Sequence, residues 1–299
     1  MLRESVHAII TTLRSIAVYG RPWTFPVLYL GWAYLFWIPI VRSGESVWAV
    51  PNVALLLIGG TSPLLAGLSL LWLTDGRAGY RDLFRRLTSI RRIRPRWWLV
   101  ILLFYPAFNV LVAGAVRLLG ISAAPLEFAD LGRLLDPISV TILLAVSLLF
   151  PAVEEIGLRG YWFDQLQARW SALLASLILG IVWAAWHVPL LYMVGYYEGT
   201  TFDPEAWWFL PSIVLTAIVG TWVYNNTRRS VLAVIGFHFA GNVTGELAGF
   251  SPGVQPFALI GLVVVTVVLV LGWGPRSLRG WGVARPRASF DSAEPPSSR

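Results

Sequence analysis

The sequence predicts an all-α polytopic membrane protein of about eight transmembrane helices, with a polar cavity suited to an active site inside the bundle. Of its 299 residues 57% are hydrophobic and only 13% charged, against roughly 45 to 50% and 25% in soluble domains. Apolar runs long enough to cross a hydrocarbon core of about 30 Å recur along the chain. Arginine is concentrated in alternate connections between those runs. A water-soluble enzyme is therefore excluded as the expectation.

The first 23 residues form the opening element. Leu2, Val6, Ile9, Leu13 and Ile16 recur at helical spacing opposite Arg3, His7 and Arg14, a pattern that predicts an amphipathic helix lying on the inner membrane surface. Glu4, His7 and Arg14 interrupt any secretion-signal core, and His7, on the wet face, receives no role. Residues 24–274 form the membrane domain, with predicted crossings at 24–41, 50–74, 97–119, 138–155, 171–194, 207–224, 231–250 and 257–273. Residues 275–299, increasingly rich in Pro, Ser and Arg, read as a disordered cytoplasmic tail.

Charge placement tests the count independently of hydropathy. The connection after the second crossing carries Arg77, Arg81, Arg85, Arg86, Arg91, Arg92, Arg94 and Arg96, and later ones carry Arg159, Arg169, Arg228 and Arg229. The intervening loops are poor in arginine. By the positive-inside rule this places both termini in the cytoplasm and the protein in the cell membrane, which requires an even number of crossings. All 23 basic residues are arginine and the formal charge is +7, which on so apolar a chain points to an anionic inner leaflet as partner rather than to nucleic acid. The absence of cysteine removes disulfides, thiolate metal sites and cysteine nucleophiles.

Acids and histidines inside a membrane span cost about 2.5 to 3.5 kcal/mol on insertion scales for an acid at the helix centre, so each is a functional candidate. They are Glu154, Glu155, His187, His238, Asn242 and Glu246; Asn52 and Asn109 lie nearer segment ends, where water is expected to reach them. Glu155 and Arg159 stand at i and i+4 and can pair, while Glu154 points about 100° away. Two adjacent carboxyls disfavour double ionisation, which suits one of them to be a general base. The competing reading is a helix end solvated among head groups.

The midpoint between Glu154 and His187 falls near Trp170, where the polar stretch 167–171 should turn the chain. In an antiparallel pair both residues then lie about 24 Å from the turn, at 1.5 Å per residue, and can face each other. Pro189 removes a backbone hydrogen bond beside His187. His238 and Asn242 share a helix face about 15 Å beyond Arg228 and Arg229, and both can donate to one oxygen atom, as an oxyanion requires. The competing reading is polar glue between helices. Gly241, Gly245 and Gly249 form an adjoining stripe expected to admit another helix, and Glu246 is expected to be structural. No His-Glu-x-x-His zinc signature is present, and Gly67-Leu68-Ser69 is only a faint echo of a serine protease.

Three patterns occur in order: Glu154-Glu155 with Arg159, Trp183-x-x-x-His187, and His238-x-x-x-Asn242. Together they resemble the CPBP family, the CAAX prenyl endopeptidase and bacteriocin-processing membrane proteases, in which the second motif carries Phe where Trp183 stands. The resemblance implies an intramembrane glutamic endopeptidase, of a family often labelled metalloprotease, with its motifs within residues 154–242. It implies that Glu154 activates a water, His187 positions it, and His238 with Asn242 stabilises the tetrahedral oxyanion, supported by Glu155, Arg159 and Trp183. The substrate is then a peptide or membrane protein. No cofactor is required in this version; if the chemistry uses zinc, Glu154, His187 and His238 are the ligands. A different function class, a membrane protein that binds without catalysis such as a bacteriocin immunity factor or a transporter-like scaffold, fits the same polar interior.

Overall fold

A computed structural model describes residues 2–198 and 204–284. The chain forms α1 (Leu2–Tyr19), α2 (Thr24–Ser43), α3 (Asn52–Gly60), α4 (Ser62–Thr88) and α5 (Pro95–Leu118), followed by strand β1 (Leu126–Phe128) and the short α6 (Leu131–Leu135). Then come α7 (Pro137–Gly157), α8 (Phe163–Arg169), α9 (Ala172–His187), α10 (Ala206–Asn226) and α11 (Val231–Leu247), strand β2 (Ala248–Phe250) and α12 (Gln255–Trp273). Among the described residues seven helical stretches are long and apolar enough to cross a membrane, which makes this a multi-pass membrane protein. The remaining predicted crossing is α11, whose 17 residues span about 25 Å.

Contacts between connections sort the loops into two ends. At one end β1 pairs antiparallel with β2, Leu126 opposite Phe250, and the amide of Val47 donates to Val194 O at 2.8 Å. At the other, Arg92 donates to Arg228 O at 2.7 Å and the amide of Ala172 to Arg276 O at 2.9 Å. The arginine-rich connections gather at this second end. Buried Asn225 and half-buried Asn226 donate to the carbonyls of Ser277 and Leu278, so residues 275–278 are docked into the fold. This corrects the expectation of a disordered tail starting at residue 275; the rest of that expectation, from 285 onward, lies outside the described residues. The predicted surface helix is α1, with Ile9, Leu13 and Ile16 all exposed; the side chains of residues 1–8, His7 included, lie outside those described.

Caps set the helix starts. Asp136 accepts from the amides of Ile138 and Ser139 and Pro137 follows at the first turn of α7, the residue types a helix start favours. The Ser139 hydroxyl and amide, with the Ile138 amide, hold the Asp136 carboxyl below its ordinary range. Ser171 and Ser230 cap α9 and α11 in the same way. Between α7 and α8 the chain passes through one π-helical segment, Leu158–Trp162, and beyond His187 α9 tightens into a 3-10 turn through Tyr192, with Pro189 in its first turn.

Close approaches explain two glycines. A Cβ on Gly67 would meet Gly157 Cα at 2.6 Å, and one on Gly157 would strike the backbone of Pro63, so α4 and α7 touch main chain to main chain. Gly67 is thus a packing residue, and the protease echo around it has no further meaning. Gly241 lies against the Tyr105 ring of α5, whereas Gly245 faces open space and Gly249 falls in β2. The expected glycine stripe is therefore cut short, because α11 ends at Leu247, before Gly249. Asn52 and Asn109 are buried, not wet, and donate to Ser43 Oγ and Ser46 O and to Ala248 O.

Candidate active site

The helical run that carries Glu154 continues through the π segment and α8 to the turn at Trp170 and Ser171, from which α9 returns beside α8 and against α10. The residue of α9 that meets Glu154 is Trp183, whose indole Nε1–H donates to Glu154 Oε2 at 2.6 Å. Glu154 is 7% exposed and makes no ion pair among the described residues. Glu155, on the neighbouring face, is engaged at both oxygens. Oε2 forms a buried ion pair with Arg159, and Oε1 lies 3.3 Å from Nδ1 of His238 on α11. The i, i+4 pairing read from the sequence is present, and its carboxylate reaches a third helix as well. Sequence spacing carries no signal for that second bond, because residues 83 positions apart have no local register.

His187 is the last residue of α9. Its Nδ1 lies 2.9 Å from the carbonyl of Trp183, and a carbonyl only accepts, so Nδ1 carries the hydrogen and Nε2 keeps its lone pair in the neutral ring. The same reasoning at His238 gives an Nδ1–H donating to Glu155. The Trp183 ring is flanked by both imidazoles, with centroids at 5.7 Å from His187 and 5.4 Å from His238. Asn242, one turn beyond His238, is half-buried and has no hydrogen-bond partner among the described residues. Glu246 is exposed near the far end of α11. A narrow cleft opens on the His238 side, lined by Tyr105, Glu155, Arg159, Trp183, Thr216 and Phe237 among others.

The π segment places Arg159 and is itself clamped. Arg86, fully buried on α4, donates to the carbonyls of Arg159 and Gly160, two acceptors within the irregular turn. Arg86 also pairs with Asp82 and Asp164, and Arg229 pairs with the same two acids. Burial pulls Arg229 down, but the Asp164 carboxylate, with Tyr224 and Asp82, outweighs it and holds the guanidinium above its ordinary range. A Cβ on Gly220 of α10 would lie 2.6 Å from Arg159 Nη2, so glycine there makes room for the guanidinium. Arg86 was hidden in the sequence among the many arginines of its connection.

Two comparisons bear on this site. Residues 136–244 match the family model described as type II CAAX prenyl endopeptidase Rce1-like, and all three motifs fall inside that segment. A protein named CAAX prenyl protease 2 from Methanococcus maripaludis is 29% identical over 255 residues, covering 83% of this chain and 90% of that protein. Over residues 136–244 the chain is similar to the Rce1-like proteases. The likeness extends beyond the motif segment to most of the membrane domain, and it supports a membrane endopeptidase.

Proposed function

We propose that this protein is an intramembrane endopeptidase that hydrolyses peptide bonds of membrane-associated peptides or proteins with a water activated by Glu154. The observation that carries the reading is the division of labour between adjacent carboxylates: Glu155 is held by Arg159 and His238, while Glu154 accepts from the Trp183 indole and forms no ion pair among the described residues. A carboxylate so placed is free to take a proton, as a general base must.

In this reading His187 accepts a hydrogen bond from the water through its open Nε2 and sets its position. Glu154 takes the water proton as the oxygen attacks the scissile carbonyl. His238 donates to the resulting oxyanion through Nε2–H while its Nδ1–H stays on Glu155, which requires the imidazolium that Glu155 supports. Asn242 Nδ2–H is the second donor, and such donors are worth most where water is excluded. Glu154 then returns its proton to the leaving amine.

Zinc held by Glu154, His187 and His238 is the other version. Among the described residues no three His, Cys, Asp or Glu side chains are gathered so as to hold one metal ion, and Trp183 stands against both imidazoles. The donors as arranged do not fit that set, and no step is routed through a metal. Metal analysis of the purified protein with chelator treatment tests the point.

The relatives' names make peptides ending in a prenylated CAAX-type sequence the first substrates to try. With purified protein in liposomes and such a peptide, Glu154→Gln is expected to slow cleavage by at least about 100-fold, the lower bound of general-base contributions. Cleavage by that variant at the parent rate would remove the assignment.

A further inference from the structure

We infer that the indole N–H of Trp183 is the positioning donor for Glu154, fixing one carboxylate oxygen so that the other is presented to water. The inference rests on the proposed role of Glu154 as base. It begins from a count of oxygens. The adjacent carboxylates offer four, of which Glu155 commits one to Arg159 and one to His238. Trp183 takes Oε2 of Glu154 at 2.6 Å. Only Oε1 of Glu154 is left without a hydrogen bond among the described residues.

The terminal torsion of a glutamate is broad and roughly two-fold, so packing alone does not set the carboxylate plane. A short bond from a donor on another helix does. Trp183 is 5% exposed and Glu154 7%, and an indole N–H buried in a membrane domain needs an acceptor. The two requirements are met by one bond linking α7 to α9. The same ring keeps both imidazoles at its edges, so three groups assigned to the chemistry take their spacing from one side chain. The motif resemblance has Phe at this position, which fills the ring's place and has no N–H; the donor is therefore a property of this chain.

The test is Trp183→Phe, assayed in liposomes beside Glu154→Gln. The expected result in the folded variant is a kcat lower by about 10- to 100-fold, in line with the cost of a misplaced catalytic group, with KM unchanged. Infrared difference spectra give a readout that a packing role would not move. The Glu154 carboxylate stretch, identified by its loss in Glu154→Gln, shifts when the N–H is removed. Should Trp183→Phe unfold, 3-benzothienylalanine incorporated at position 183 keeps the bicyclic shape and lacks the N–H. A parent-level kcat or an unmoved Glu154 band in whichever folded variant is obtained overturns the inference. If Glu154→Gln itself cleaves at the parent rate, the base assignment falls first; if Glu154→Gln is slowed and Trp183→Phe is not, only the positioning role falls.

Discussion

At the scale of single residues the two neighbouring glutamates behave as different kinds of group. Glu155 is a structural anion, 1% exposed and paired with an equally buried arginine. Removing one partner of a buried ion pair leaves an uncompensated charge, at a cost of about 3 to 5 kcal/mol. Glu155→Gln is therefore expected to lower the melting temperature in detergent clearly, whereas Glu154→Gln, which breaks no ion pair, leaves it near that of the parent. Equal melting of the two variants would contradict the division. The pairing of Glu155 with Arg159 was legible in the sequence because i, i+4 geometry is local. The bond from Glu155 to His238 was not, since it depends on how α7 meets α11. Trp183 carries a usable signal, an indole N–H four residues before a histidine inside a membrane span where the resembled motif has Phe, but the acceptor of that N–H lies on α7 and has no local register with it.

Among elements, the segment between α7 and α8 couples the polar interior to the arginine-rich end. A π turn is common at functional sites, and here the carbonyls of Arg159 and Gly160 are satisfied by the Arg86 guanidinium from α4. Arg86 also joins two aspartates, a tyrosine and Arg229 in a buried cluster. Replacing it removes one of the two cations shared by Asp82 and Asp164, leaving only Arg229 to balance both acids, and takes the guanidinium donor from the Gly160 carbonyl. Arg86→Ala is expected to lose about 3 to 5 kcal/mol, seen as early thermal unfolding, and to lose peptide cleavage together with stability. A folded Arg86→Ala with parent-like melting would show that the clamp is dispensable. Hydropathy found the helices, and the Ser and Asp caps mark where three of them start. The π segment after α7 left no trace in the sequence, because the contacts that hold it are tertiary: Gly157 against Pro63, and Arg86 on the carbonyls of the turn.

For the whole molecule, the alternation of arginine-rich and arginine-poor connections matches the two ends set by loop contacts. Arg92 meets Arg228, and residues 276–278 meet α9 and α10, at one end; β1 and β2 meet at the other. By the positive-inside rule the arginine end and both termini are expected in the cytoplasm, and the net charge of +7 predicts an anionic inner leaflet, a placement that labelling tests. The native chain has no cysteine, so single cysteines report position without a background. Cysteines placed at Ser89 and Arg279 are expected to be shielded from a membrane-impermeant maleimide in intact cells, and those at Glu127 and Gly253 to be labelled. The length of α11 gives this test its force. If α11 did not cross, Gly253 would fall on the same side as Arg228; labelling at Glu127 and Gly253 alike, with protection at Ser89, requires α11 to traverse the bilayer and carry His238 into its interior.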